Sequence, residues 1–223
     1  MGKLDIITKQ YLEDVRIFAD AFNYSIYDGE PVVQPEKLRP LDVVSTATPD
    51  DATPIQKTRD VLKCLAAMED DNRAYIILGI ENQSDIHYAM PVRNFVYNAL
   101  TYEKQVKDIA AKHKANKDSC TNAEYLSGFH KNDKLTPVIT LVIYFGAQQW
   151  DGPTSLHEMM DLDQLDDKLR QFIADYKLLL LTPAQIMPED FAKFHTNLGH
   201  VMELIKYLED KETFDKLRHT SLP

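Results

Sequence analysis

The sequence predicts an α/β protein, a mixed sheet flanked by helices, and three observations predict it. Residues Val61 to Met68 and Arg73 to Ile80 are apolar runs of strand length separated by Glu69-Asp70-Asp71-Asn72. That tetrapeptide is turn chemistry, so the two runs form a hairpin. Ala74 to Ile80 and Pro137 to Phe145 are apolar almost without alternation, which marks strands covered on both faces. Helical periodicity precedes the hairpin and separates it from the second doubly covered strand. The resulting order is helix, strand, hairpin, helix, strand.

In chain order, Leu4 to Tyr27 reads as one helix, because Ile7, Tyr11, Val15, Phe18, Phe22 and Ile26 recur at steps of three and four. Asp28-Gly29 ends it. Asp20 falls on the far side of that stripe and reads as a solvated acid. From Pro31 to Pro54 the chain is punctuated by prolines and holds only the short apolar pairs Val32-Val33 and Val43-Val44. This is a turn region or an edge strand followed by a loop. The stretch TATPDDATPIQKTR then suits a surface segment that closes over a substrate.

After Ser84-Asp85 a long helix extends to about Lys117, with Pro91 in its first turn, where a missing N–H costs nothing. Its apolar face is Phe95, Ala99, Tyr102, Val106 and Ile109. Asn116 to Leu135 is a polar insertion that reads as a lid or a DNA-contacting segment. Gly146 stops the strand before it, and Trp150 in the following loop either anchors that loop or stacks a base. Short helices over Leu156 to Tyr176, a strand over Leu178 to Leu181 and a helix over Pro188 to Leu208 complete the chain. His195 and His200 are five apart, which fits no i,i+4 zinc pair.

Length and composition set bounds. A chain of 223 residues accommodates one compact domain with a helical appendage, here 1–182 followed by a C-terminal helical extension over 183–223 packed on it. No apolar run approaches the roughly 20 residues a bilayer span needs, and MGKLDIITKQ has no secretory-signal character. Two cysteines are too few for a disulfide framework, so the expected location is a reducing cytoplasm. A net charge of −10 argues against a protein that coats nucleic acid, although an enzyme needs only a local basic path. Lysines are densest over 104–117, with two more at 131 and 134, which is where a DNA-facing surface would lie.

The chemistry centres on the hairpin. With a two-residue loop at Asp70-Asp71, Asp60 stands directly opposite Glu81, their Cβ atoms about 4.5–5.5 Å apart. Like charges so placed repel unless a cation lies between them, and a divalent ion held by carboxylate oxygens is the usual remedy. Gln83, two residues on, adds an amide to the same face. The plain alternative is a pair of exposed acids at strand ends. Arg93 and Tyr97 are four apart on one side of the long helix. An arginine there contacts a scissile phosphate, holds Glu81, or is simply a surface residue.

The segment LGIENQSDIHYAMPVRNFVYNALTYEKQV, with the preceding RDVLK and the later KLTPVITLVIYFG and WDGPTSLHEM, resembles the PD-(D/E)XK nuclease-family transposases, relatives of the Rpn recombination-promoting nucleases. The resemblance implies a restriction-endonuclease-like αβββαβ core with C-terminal helices, and an association with mobile elements or recombination. It also implies a metal-dependent DNA endonuclease, with Mg²⁺ (or Mn²⁺ or Ca²⁺) as cofactor and DNA as partner. Asp60 and Glu81 would coordinate the metal with the Asn82 carbonyl, Gln83 would orient the attacking water, and Arg93 would supply positive charge. Asp20 is the candidate for an additional acid on the first helix, ahead of Asp14 and Glu13, and Gln105 is structural support. Gln83 stands where the superfamily pattern has lysine. That departure leaves a second reading, a catalytically weak or inactive nuclease fold that binds DNA or protein, for example as a homodimer.

Overall fold

In the computed structural model, residues 3–41, 44–47, 55–58, 61–66 and 74–220 are described. A five-stranded mixed sheet organises the chain. Its strands are β1 (Leu38–Pro40), β4 (Val61–Ala66), β5 (Ala74–Gln83), β6 (Val138–Tyr144) and β7 (Leu179–Leu181), in that spatial order. The β1–β4 and β4–β5 pairs are antiparallel; the β5–β6 and β6–β7 pairs are parallel. Between β1 and β4 the chain forms a separate two-stranded hairpin, β2 (Val44–Ala47) with β3 (Ile55–Thr58), which lies against the long helix α3 (Met90–Asn116).

The parallel β5–β6 pair requires a crossover, and α3 supplies it. Its first turn holds Pro91, and it ends at Lys117, which adopts a left-handed conformation with φ 55° and donates its N–H to the carbonyls of His113 and Lys114. On the opposite face of the sheet lie α1 (Lys3–Glu13), α2 (Val15–Tyr27) and α6 (Leu198–Lys206). There Leu12, Phe18 and Phe22 pack with Leu78, Ile80, Leu141 and Ile143, and with Phe191, Phe194, Leu198 and Met202. Burying each of these large side chains contributes about 1.5–3 kcal/mol relative to exposure. Residues beyond 183 therefore share the main core. The described residues also include the short α-helices α4 (Asn122–Ser127), α5 (Asp167–Arg170) and α7 (Lys211–Thr220). No helix among the described residues is long and apolar enough to cross a membrane.

The structure corrects several expectations. The first helix is two, broken at Asp14, whose carboxylate accepts the Arg16 N–H at 2.8 Å and caps α2. Hydrogen bonds from the Arg16 side chain and then from its backbone hold Asp14 down at about 2. The buried face is consequently Leu12, Ile17, Phe18, Ala21 and Phe22, whereas Ile7, Val15 and Ile26 are exposed. The helix expected from Pro188 is a 3₁₀ segment to Lys193, and α6 begins only at Leu198. Trp150 anchors its loop: it is buried, and its Nε1 donates to the Gly152 carbonyl at 2.9 Å.

The polar insertion is a built structure at the far end of α3. A capping box joins Thr121 and Glu124, and backbone N–H groups of Thr121 and Lys131 hold the Glu124 carboxyl down at about 2. His113 bridges Asp118 at 2.6 Å and Asp133 at 2.9 Å, and its ring stacks on His130. Twenty residues separate His113 from Arg93, about 30 Å along a helix axis. The insertion is therefore no lid over Glu81.

Hydrogen bonds to Asp118 and then Asp133 raise the pKa of His113 above its ordinary 6.5. A raised pKa contributes stability that is fully present below the unfolded value and is lost as pH rises through the folded one. Hydrogen exchange over residues 118–133 is accordingly expected to accelerate as pH climbs above about 6.5, beyond the intrinsic rate increase. Replacing His113 with glutamine should remove this pH dependence.

Candidate active site

Strand alternation puts Glu81 and Gln83 on the face of β5 covered by α3, and Asn82 on the opposite face. There Asn82 donates through Nδ2 to the Thr8 hydroxyl of α1. Glu81 is fully buried, and Arg93 Nη2 lies 3.5 Å from its Oε2. This separation exceeds the roughly 2.7–2.9 Å of a charge-assisted hydrogen bond, so the contact is Coulombic. Arg93 is held in place by Tyr97: its Nε donates to the phenol oxygen at 3.1 Å and its guanidinium sits 5.6 Å from the ring centre. The predicted Arg93–Tyr97 pair is thus a physical one, set against Glu81 with a third of the Arg93 side chain still exposed.

Gln83 is also buried, and its Nε2 donates to the Asn82 carbonyl at 2.8 Å. Beside it in the parallel pairing is Tyr144, whose phenol is pushed up by burial and by the charges of Asp85 and Asp151, and stays protonated at neutral pH. Gly146 makes room for that ring, since a Cβ there would overlap it.

The inward face of α3 differs from the predicted one. Phe95 and Ala99 are exposed, while Asn94, Tyr97, Asn98 and Thr101 are buried. Asn98 accepts from Thr140 of β6 at 2.8 Å and donates to the Tyr176 hydroxyl at 2.8 Å. Thr101 donates to the Tyr97 carbonyl at 2.8 Å. A polar layer therefore runs between sheet and helix, with Glu81 at one end. Its signal in the sequence is Asn94, Tyr97, Asn98 and Thr101 at helical spacing directly after Arg93. Gln105 is structural, as expected: its amide both donates to and accepts from the Thr136 backbone, at 3.0 and 2.7 Å.

Asp60 lies outside the described residues. The strand after it has the register the expected pairing requires, with Val61 opposite Ile80 and the same offset held to Leu65 opposite Ile76. A shift follows between Leu65 and Ala66.

Asp20 is neither solvated nor with Glu81. It is buried, and its carboxylate accepts from the His195 N–H at 2.9 Å, the Thr196 N–H at 2.9 Å and the Thr196 hydroxyl at 2.5 Å. These donors engage both oxygens in holding the chain ahead of α6, a structural role. Asp14 caps α2, and His195 bonds the Gly29 carbonyl through Nε2.

A fully buried carboxylate is costly unless its charge is used or compensated. Glu81 occupies the centre of the sheet, where oxygen donors from its side chain, the Gln83 amide and the Asn82 carbonyl suit a hard divalent cation. Among the described residues no three His, Cys, Asp or Glu side chains gather as a metal cluster.

Residues 56–221, well over half of the chain, match the family model described as "Putative transposase, YhgA-like". The chain belongs to this family. The YhgA-like transposases are of the PD-(D/E)XK nuclease type, so the resemblance carried by ENQ and MPVR corresponds to real membership. No curated protein and no solved structure gives a significant match.

Proposed function

We propose that this YhgA-like transposase is a metal-dependent DNA endonuclease built on a restriction-endonuclease-like core. The observation that carries the reading is a fully buried glutamate on the central strand of the sheet, facing the crossover helix, in a family of nuclease type. Strand order and direction support it, because α2, β1, β4, β5, α3 and β6 follow the αβββαβ succession.

Glu81 and Asp60, with the Asn82 carbonyl, would hold a Mg²⁺-like ion. Such an ion, when bound, makes water nucleophilic and offsets charge on the phosphate. Gln83 orients a water through its amide; it carries donors and an acceptor but no charge, so it cannot replace the superfamily lysine as a cation. Arg93 provides the positive charge instead, one third exposed at the edge of the buried layer where a phosphate can reach it. Tyr97 positions Arg93. The exposed lysines 112, 114 and 117 continue along α3 and offer a path for the DNA backbone, whereas Lys104 and Lys107 are tied to Asp108 and Glu103.

The second reading is a nuclease fold without catalysis that binds DNA or a protein partner. It is favoured by the engagement of Gln83 with the Asn82 carbonyl and of Arg93 with Glu81. Two experiments separate the readings. Purified protein should nick supercoiled plasmid only when Mg²⁺ or Mn²⁺ is added, and Asp60→Ala should not. Calorimetric titration should show Mn²⁺ binding that Glu81→Ala weakens. Nicking that all proteins share equally would expose a contaminant, and no ion binding would favour the second reading.

A further inference from the structure

We propose that Asn94 is a further ligand of the Glu81 site, binding the divalent cation through Oδ1; this rests on the nuclease reading above. Asn94 is fully buried, and neither Oδ1 nor Nδ2 has a hydrogen-bond partner among the described residues. Burying a carboxamide without partners is costly, and native structures tolerate it where the group serves something other than packing. Its neighbours on the same helix face behave otherwise, since Tyr97, Asn98 and Thr101 are all hydrogen-bonded.

The position of Asn94 follows from the elements around it. One turn earlier, Met90 packs with Val142 and Tyr144; one turn later, Asn98 bonds Thr140. Asn94 therefore stands over the Val142 level of β6, and Val142 is the strand partner of Glu81. The preceding residue, Arg93, already reaches Glu81 from this helix. The amide and the carboxylate thus lie in the same buried layer between α3 and the sheet.

Burial identifies the class of ligand. Glu81 and Asn94 are both at 0% exposure, so neither side chain is open to a nucleotide from solvent. A carboxylate and an amide oxygen are hard donors of the kind Mg²⁺, Mn²⁺ and Ca²⁺ take. Nδ2 would then remain available to donate to a water. Asn94 contributes an oxygen from the helix, where the strand residues contribute theirs from the sheet.

The test compares the full-length parent protein with Asn94→Leu, Asn94→Asp and Glu81→Ala, using thermal unfolding without metal and Mn²⁺ binding by electron paramagnetic resonance. Asn94→Leu should unfold at or above the parental temperature, because it removes two unpaired buried atoms at nearly constant shape. It should bind Mn²⁺ about 10–100-fold more weakly, the loss typical when a group supporting a metal site is removed. Asn94→Asp should bind Mn²⁺ at least as tightly as the parent. Unchanged Mn²⁺ affinity in Asn94→Leu, with Glu81→Ala weakened, would overturn the role of Asn94 and leave the nuclease reading standing. A lower unfolding temperature for Asn94→Leu with parental Mn²⁺ affinity would assign Asn94 to packing. Absence of Mn²⁺ binding by the parent would sink the nuclease reading and this inference together.

Discussion

Glu81→Ala is expected to reduce divalent-dependent plasmid nicking by about 10²–10³-fold or more, the scale on which losing a group that stabilises the reacting charges is felt. Glu81→Gln should be as inactive, because it keeps the shape and hydrogen-bonding capacity of the side chain and removes only the charge that holds a cation. Neither variant should unfold. Arg93, which lies against Glu81, has one third of its side chain exposed, so its charge is hydrated when the carboxylate goes. Circular dichroism and urea unfolding check that part. Parental nicking rates in Glu81→Gln would show that the buried carboxylate has no role in the chemistry.

Asp20→Ala should have the opposite profile: a stability loss of about 3 kcal/mol, with Mn²⁺ affinity and activity per folded molecule unchanged. Hydrogen bonds to a charged group contribute about 1.5–3 kcal/mol each, and their removal here leaves two backbone N–H groups to find water. Asp20→Asn should recover part of the loss, since its amide oxygen still accepts from one or two of the three donors. Equilibrium urea unfolding measures the first effect and calorimetry the second. Weakened Mn²⁺ binding without a stability change would return Asp20 to the metal site.

These contrasting expectations reflect what sequence patterns encode. The β4–β5 register was legible because two apolar runs and an acidic turn define a hairpin, and the observed pairs from Val61–Ile80 to Leu65–Ile76 keep the expected offset. β6 was legible from its unbroken apolar run. The partners of Asp20 were not, because His195 and Thr196 are 175 and 176 residues away and no local pattern connects them. The break at Asp14 was missed because a 3.6-residue period continues through it, although aspartate is a preferred N-cap.

The inward face of α3 shows a different limit. Counting apolar residues selects Phe95 and Ala99, yet the helix turns Asn94, Tyr97, Asn98 and Thr101 to the sheet. It does so because the sheet face beneath carries Glu81, Gln83 and Thr140, and buried polar groups need polar neighbours. A site of this kind contradicts hydrophobic patterning wherever it is built, which is why periodicity located the helix and misassigned its face.

The central claim is that Glu81 holds a divalent cation together with Asp60, and anomalous diffraction from crystals soaked in Mn²⁺ tests it most directly. The account predicts a manganese peak within coordination distance of a Glu81 carboxylate oxygen, about 2.0–2.3 Å, with the Asp60 carboxylate on the same ion. A peak elsewhere, or Glu81 engaged with Arg93 alone at saturating Mn²⁺, would contradict it.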